Sequence, residues 1–328
     1  MGLLVLRRET EYLCDAMELP QIFDLAVAWN WEYDRELIRL IQSEAHKNNV
    51  SVLEIRTETV EGNFNLLKNG KMQFRYLLDR ASDEDDSFQP LARFVLKKFR
   101  SGNEPVMRPI NPHDLQIQAA DKATMHLEFL AHGIDVPYTI IISPYNHRTE
   151  VELSLTELEK LGRPFIIKPA NTTGGGIGVV LGAETLKEVI EARQFHKNDK
   201  YLLQETIQPA ELEGRRAWFR VFFAFGRIIP CWWNDISHVY SLLTAEEEQQ
   251  LELGRIRAIV DRISSICQLE FFSTELVFTE NGRCVAVDYV NEMCDMRLQS
   301  KYPDGVPDSL AQDIVSRMIG YVKNPQVG

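Results

Sequence analysis

Lys168 closes an apolar run, PFIIKP, and Gly174, Gly175, Gly176 and Gly178 follow within ten residues. A lysine at the end of a buried strand needs an anion beside it. Successive glycines let backbone N–H groups approach phosphate oxygens with no Cβ in the way. The segment Thr172, Thr173 and the four glycines is therefore suited to fold over a nucleotide as a lid. It is not a P-loop, since no G-K-[ST] follows, and no G-x-G-x-x-G opens a helix. Taken alone it reads equally well as a mobile hairpin turn whose lysine pairs with a carboxylate.

A second group lies near the end of the chain, in FFSTELVFTENGRCVAVDYVN. Asn281-Gly282 between two apolar runs predicts a hairpin, with Glu275 on one strand and Asp288 and Asn291 ending the other. Two carboxylates and an amide are hard oxygen ligands that suit Mg²⁺, which keeps some waters and takes its remaining ligands from phosphates. The alternative is that Glu275 and Asp288 merely face outward from a half-buried sheet. Asn291 stands three residues after Asp288, so on a regular strand it faces the other way; the set closes only if the strand carries a bulge. Arg220, inside the apolar run WFRVFFAF, calls for an anionic partner because buried arginines are rare unless paired. Arg297 either binds a substrate carboxylate through its guanidinium fork or pairs with Asp295. Trp232, Trp233, His238 and Tyr240 follow the Arg220 strand, where they either shape a pocket or simply pack.

The elements that must hold these residues fall into two textures. DLAVAW, VSVLEI and RYLLD, separated by helix-like stretches such as 32–48, predict a parallel β-α-β region, with SDEDDS as a solvated loop. VMRPINPH, with two prolines that forbid a regular helix, sets a boundary at 113. Beyond it the pattern predicts a helix from Asp114 carrying Met125, Phe129 and Leu130 to Gly133, a strand PYTIIIS, and a helix capped by Ser154 and Glu157. Strands follow at 164–168, from Tyr201 and from Trp218, with a helix near 184–194. A helix from Thr244, with Glu247 completing its capping box, presents Ile256, Ile259, Val260, Ile263 and Ile266 on one face. The first part is thus α/β and the rest α+β. A chain of 328 residues with 45% hydrophobic and 26% charged residues fits two or three subdomains around a cleft, and no stretch approaches a membrane span. The net charge of −12 argues against general nucleic-acid binding. Five cysteines (Cys14, Cys231, Cys267, Cys284, Cys294) without C-x-x-C spacing argue against zinc and against a disulfide framework. MGLLVLRRET lacks the features of a signal peptide, so a cytoplasmic location is expected.

DKATMHLEFLAHGIDVPYT, PFIIKPANTTGGGIGV, LLQETI, WFRVFFAFGRIIP and the hairpin ending in DYVN resemble, in order and spacing, the ATP-grasp superfamily. That superfamily includes D-alanine–D-alanine ligase, glutathione synthetase and the ribosomal-protein glutamate ligases. The match runs from Asp114 to Arg297. It implies a pre-ATP-grasp-like domain over 1–113, a central lid subdomain over 114–200 and a C-terminal subdomain over 201–328. It further implies that Lys122 and Lys168 contact ATP phosphates under the glycine loop, and that Gln204, Glu205, Thr206 and Ile207 form an adenine-holding strand edge. Arg220 would hold the transferred phosphoryl group, and Glu275, Asp288 and Asn291 one or two Mg²⁺ ions. Many relatives carry an acidic residue at the position of Trp218 for the ribose; here either Glu211 or Glu213 would serve instead or the ribose contact is absent. The implied reaction is ADP-forming carboxylate–amine ligation through an acyl phosphate, on small-molecule or peptide substrates. A kinase acting on a hydroxyl and a catalytically silent nucleotide-binding protein are the alternatives. Relatives are often dimers or tetramers, so a homo-oligomer is in keeping with the resemblance.

Overall fold

The computed structural model describes residues 19–102, 106–172 and 176–324. Cys14, Thr173, Gly174 and Gly175 lie outside them. The chain begins with a four-stranded parallel sheet, order β2-β1-β3-β4, made of β1 (Gln21–Trp29), β2 (Val52–Ile55), β3 (Met72–Arg80) and β4 (Arg108–Ile110). Helices α1 (Arg35–Lys47), α2 (Val60–Lys68) and α3 (Gln89–Ser101) connect them. β1 is buried on both faces, which is why it reads as an unbroken apolar run. Leu25, Val27 and Trp29 enter a core with α1, while Ala26 and Ala28 enter another with α2 and α3. β4 contains Pro109 and lies at the sheet edge, where a missing N–H costs no ladder bond.

The predicted helix from Asp114 is two helices, α4 (His113–Ala120) and α5 (Lys122–Ala131). Asp121 breaks them: its backbone is extended and its side chain caps α5 by accepting from Ala123 N and Thr124 N. Met125 and Phe129 are buried as predicted, but Leu130 is exposed. A second sheet, antiparallel with order β5-β8-β6-β7, comprises β5 (Thr139–Ile142), β6 (Phe165–Pro169), β7 (Val180–Ala183) and β8 (Tyr201–Glu205). Its helices are α6 (Leu155–Leu161), with the predicted Ser154–Glu157 capping box, and α7 (Leu186–Ala192). β8 lies between β5 and β6, just past the boundary drawn at 200 from the sequence.

After a hairpin of β9 (Glu211–Leu212) and β10 (Arg215–Arg216) comes a five-stranded antiparallel sheet, order β13-β12-β11-β14-β15. It contains β11 (Trp218–Ala224), β12 (Arg227–Trp233), β13 (Tyr240–Leu242), β14 (Phe271–Phe278) and β15 (Cys284–Asn291). The predicted helix from Thr244 keeps its capping box but stops early: α8 (Ala245–Gln250) is separated from α9 (Arg255–Cys267) by a turn in which Glu252 takes a positive φ. Ile256, Val260 and Ile263 of α9 pack with Phe219, Val221, Phe272 and Leu276 on one face of the sheet. The predicted hairpin joins β14 to β15, but only Gly282 of the Asn-Gly pair is left-handed. Thr279 and Arg283 are hydrogen-bonded across the loop, so it is longer than a two-residue turn.

The final helix, α10 (Asp308–Lys323), lies against α1 and fills the space between the parallel sheet and the far end of β11. One buried ion pair ties the parallel sheet to the loop after β15. Arg80 holds Asp34 through two 2.7 Å hydrogen bonds and donates to Cys294 O at 2.9 Å. Removing one member of such a pair leaves a buried charge unpaired. Asp34→Ala is therefore expected to cost about 3–5 kcal/mol, read as a fall in the urea midpoint; an unshifted midpoint would show the pair to be dispensable. The buried Cys231, Cys267, Cys284 and Cys294 are unpaired core residues. Among the described residues no helix is long and apolar enough to cross a membrane.

Candidate active site

β11 alternates its side chains across the sheet. Phe219 and Val221 enter the core under α9, and Trp218 and Arg220 project from the other face. Arg220 pairs in register with Glu275 of β14, and Glu275 with Asp288 of β15. Next along the ladder, Ser273 opposes Asn291 and Leu276 opposes Ala286, so β15 carries an extra residue on each side of Asp288. This is the bulge the spacing demanded: it returns Asn291 to the face of Asp288 and Glu275. The Thr274 hydroxyl donates to Asp288 O at 3.0 Å where the ladder is interrupted.

Charges converge on this face. Arg220 donates from Nη1 to Glu275 Oε1 at 3.0 Å and from Nε to Ser273 Oγ at 3.3 Å. Asn291, with its amide turned to satisfy both ends, accepts from Arg220 Nη2 and donates to Met293 O. Trp218 Nε1 donates to Glu275 Oε2 at 2.9 Å, so the residue in place of the expected ribose acid orients a carboxylate instead. Lys122, the first residue of α5, brings its Nζ to 4.0 Å from Asp288 Oδ1. Lys168, on β6, donates to Val287 O at 3.2 Å and lies 5.3 Å from the centre of the Tyr289 ring.

Burial pushes the Lys168 amine down to about 8, with Lys122 adding to the effect and Asp288 opposing it. Burial likewise raises the Glu275 carboxyl despite Arg220. Asp288 stays below its ordinary value: burial works against its charge, but Lys122, Lys168 and Arg220 outweigh it. Arg220 is held charged, since Tyr240, Glu275 and Asp288 overcome its burial. Burial raises Glu292, next along the chain, to about 7. A buried lysine with a lowered pKa beside a second lysine and an arginine is suited to take up a polyanion.

The donors fit Mg²⁺. Among the described residues no three His, Cys, Asp or Glu side chains gather into a metal site. Glu275, Asp288 and Asn291 offer two carboxylates and one amide oxygen, donor types that Mg²⁺ takes together with phosphate oxygens and water, although Glu275 and Asn291 here accept from Arg220 and Trp218, which leaves Asp288 the freer ligand.

Other predicted residues are placed differently. β8 is interior to its sheet, so Gln204 and Glu205 do not form a strand edge. The Gln204 amide donates to Thr139 Oγ1 and Tyr289 OH, and Glu205 accepts from Tyr138 N and Arg283. The ladder ends at Glu205, which leaves Thr206 and Ile207 as the segment past the strand. Ile207 packs with Val277 and Val285, beside Trp218 and Val287. Glu211 lies in the small hairpin opposite Arg216. Thr172 is engaged by Asp199, while Gly176 and Gly178 both take left-handed backbone, as a glycine-rich turn requires. Arg297 is filled by its own chain: Nε and Nη2 hold Asp295, and Nη2 holds Asp304 at 2.8 Å. The structure thus favours the Asp295 pair over a free fork. Trp233 lies 5.4 Å from the Arg220 guanidinium and stacks on His238.

Tyr289, His126, Asp121, Asp199 and Lys200 escaped the sequence reading. The Tyr289 hydroxyl bonds His126 Nδ1 at 2.8 Å, and burial together with Lys168 lowers that imidazole to about 4, leaving it neutral. A tyrosine next to Asp288 in an otherwise apolar strand was the available signal, because a buried phenol needs a partner.

A parallel α/β sheet followed by an antiparallel four-stranded and an antiparallel five-stranded sheet is the fold of solved ATP-grasp structures. Solved structures match it over nearly the whole chain. A D-alanine–D-alanine ligase from Bacillus anthracis, complexed with ATP, has a TM-score of 0.59 at 14% identity, covering 92% of this chain and 99% of that one. A RimK domain ATP-grasp protein from Sphaerobacter thermophilus gives 0.59 at 15% identity, covering 91% and 100%. The macrocyclase MdnC from Microcystis aeruginosa, bound with precursor peptide MdnA, gives 0.55 at 12%, covering 92% and 99%. At such identities the likeness establishes the fold. No family model matches the sequence. No curated protein matches it either.

Proposed function

We propose that this protein is a Mg²⁺-dependent ATP-grasp ligase that joins a carboxylate to an amine and releases ADP and phosphate. The observation that carries this reading is the convergence of Lys122, Lys168 and Arg220 with Glu275, Asp288 and Asn291 on one face of the β11-β14-β15 sheet. Lys122 and Lys168 bind the phosphates, Arg220 steadies the transferred group, and Ile207 with its apolar neighbours packs the adenine face. Mg²⁺, held by Glu275, Asp288 and Asn291, would neutralise charge on the phosphates when bound. Positioned cations of this kind are worth several kcal/mol each to a charged transition state, roughly 10²–10³ in rate. The substrate carboxylate attacks the γ-phosphate, and the amine then displaces phosphate from the acyl phosphate. The similar structures support this reading, being named as ligases, a synthetase and macrocyclases.

The test is an ATP assay with Mg²⁺ against pooled carboxylates and amines, including short peptides, following ADP and phosphate together. Equal ADP and phosphate that appear only with both substrates support ligation. ADP without free phosphate would point to a kinase, and no ADP in any pool would count against catalysis.

A further inference from the structure

The turn between α7 and β8 makes contacts that the roles above do not use. Asp199, almost fully buried, accepts at Oδ2 from Asn171 N (2.8 Å), Thr172 N (3.2 Å) and Thr172 Oγ1 (2.9 Å), and at Oδ1 from Asn171 Nδ2 (2.8 Å). It thereby fixes the chain three residues after Lys168. Lys200 Nζ makes a 2.8 Å ion pair with Asp121 Oδ2, the residue whose other oxygen caps α5 immediately before Lys122. Backbone bonds close the circuit, from Ala170 N to Lys200 O at 2.8 Å and from Lys122 N to Ala170 O at 3.0 Å. Farther along, Gly178 rests on the same stretch: a Cβ there would lie 3.2 Å from Phe195 and 3.3 Å from His196.

We propose that the Asp199–Lys200 pair is a positioning element that sets Lys122 and the chain leaving β6 in fixed relation to Lys168, so that both lysines meet one polyphosphate. Lys122 and Lys168 come from different elements, a helix and a strand, and their spacing matters because a point charge displaced by an ångström loses much of its hold. The Lys200–Asp121 pair is partly exposed, and such pairs add little to folding stability. Its value lies instead in holding the first turn of α5. This inference rests on the nucleotide reading given above.

Calorimetric titration with Mg·ATP tests it on the intact protein and on Lys200→Met, Lys200→Arg, Lys122→Met and the Lys122→Met/Lys200→Met double variant. Lys200→Met is expected to weaken Mg·ATP about tenfold with little change in thermal midpoint, and Lys200→Arg, which keeps a cation for Asp121, to restore it. If Lys200 acts through Lys122, its loss has no further effect once Lys122 is gone. Unchanged affinity in Lys200→Met, or losses that simply add in the double variant, would overturn the positioning role while leaving the nucleotide site standing. Failure of the unsubstituted protein to bind Mg·ATP would overturn the nucleotide reading itself.

Discussion

Lys168→Met is expected to reduce ATP turnover by roughly 10²–10³-fold while leaving the protein at least as stable as before. The two effects have opposite signs for one reason. Lys168 is buried beside a second lysine, and its amine is held near 8, below the ordinary 10.5. Because the native value is the lower one, the unfolded chain carries the extra proton between about 8 and about 10.5, and native stability rises with pH across that window. Below about 8 both states are protonated and the burial penalty is fully present. At pH 7 methionine removes that penalty, which on this scale amounts to about 1–3 kcal/mol. The thermal midpoint is then unchanged or raised. Nucleotide binding adds anionic charge beside the lysine, so it is expected to raise the lysine pKa and to draw in a proton near pH 8. Calorimetry in buffers of different ionisation enthalpy reads this uptake. Its persistence in Lys168→Met would assign the proton to another group, and full turnover in that variant would remove Lys168 from phosphate binding.

Asp288→Asn is expected to abolish the dependence of nucleotide affinity on Mg²⁺ with some loss of stability, since Lys122, Lys168 and Arg220 lose the anion whose pKa they hold below its ordinary value, whereas Glu275→Gln also disturbs a direct buried ion pair. Glu275 is hydrogen-bonded to both Arg220 and Trp218, so neutralising it weakens a buried pair, a class of change that costs up to about 3–5 kcal/mol. Asp288 is the more exposed carboxylate, about one-third accessible, and faces Lys122 at the looser distance of 4.0 Å. Asparagine keeps its shape and removes the charge that a divalent ion requires and that Lys122 and Lys168 face. The comparison is ATP affinity with and without Mg²⁺ in the intact protein and in Asp288→Asn, alongside a thermal melt. An undiminished Mg²⁺ effect in the variant would place the ion elsewhere.

The local patterns in the chain were enough to locate the elements that carry these residues. An apolar run buried on both faces gives β1, Ser154 with Glu157 and Thr244 with Glu247 give helix starts, and apolar flanks around Asn281-Gly282 give the hairpin. Each rests on interactions among residues a few positions apart, which any stretch of sequence displays. Lys168 at a strand end and Arg220 inside an apolar strand were visible on the same basis. The breaks at Asp121 and Glu252 were not, because each is made by the backbone itself: Asp121 is extended and Glu252 takes a positive φ.

What tertiary structure alone decided is which partners those residues meet. β8 looked like an edge because its own sequence cannot say that β5 and β6 flank it, and pairing on both sides leaves its backbone no free edge. Arg297 is filled by Asp304 as well as by the neighbour it was expected to meet. The irregularity between Ser273 and Glu275 exists only relative to β14, and it brings Asn291 to the side of Glu275. The Lys200–Asp121 pair spans 79 positions. Periodicity and capping are written in neighbouring residues, whereas register, edge position and charge partners are properties of strands and side chains brought together from far apart in the chain.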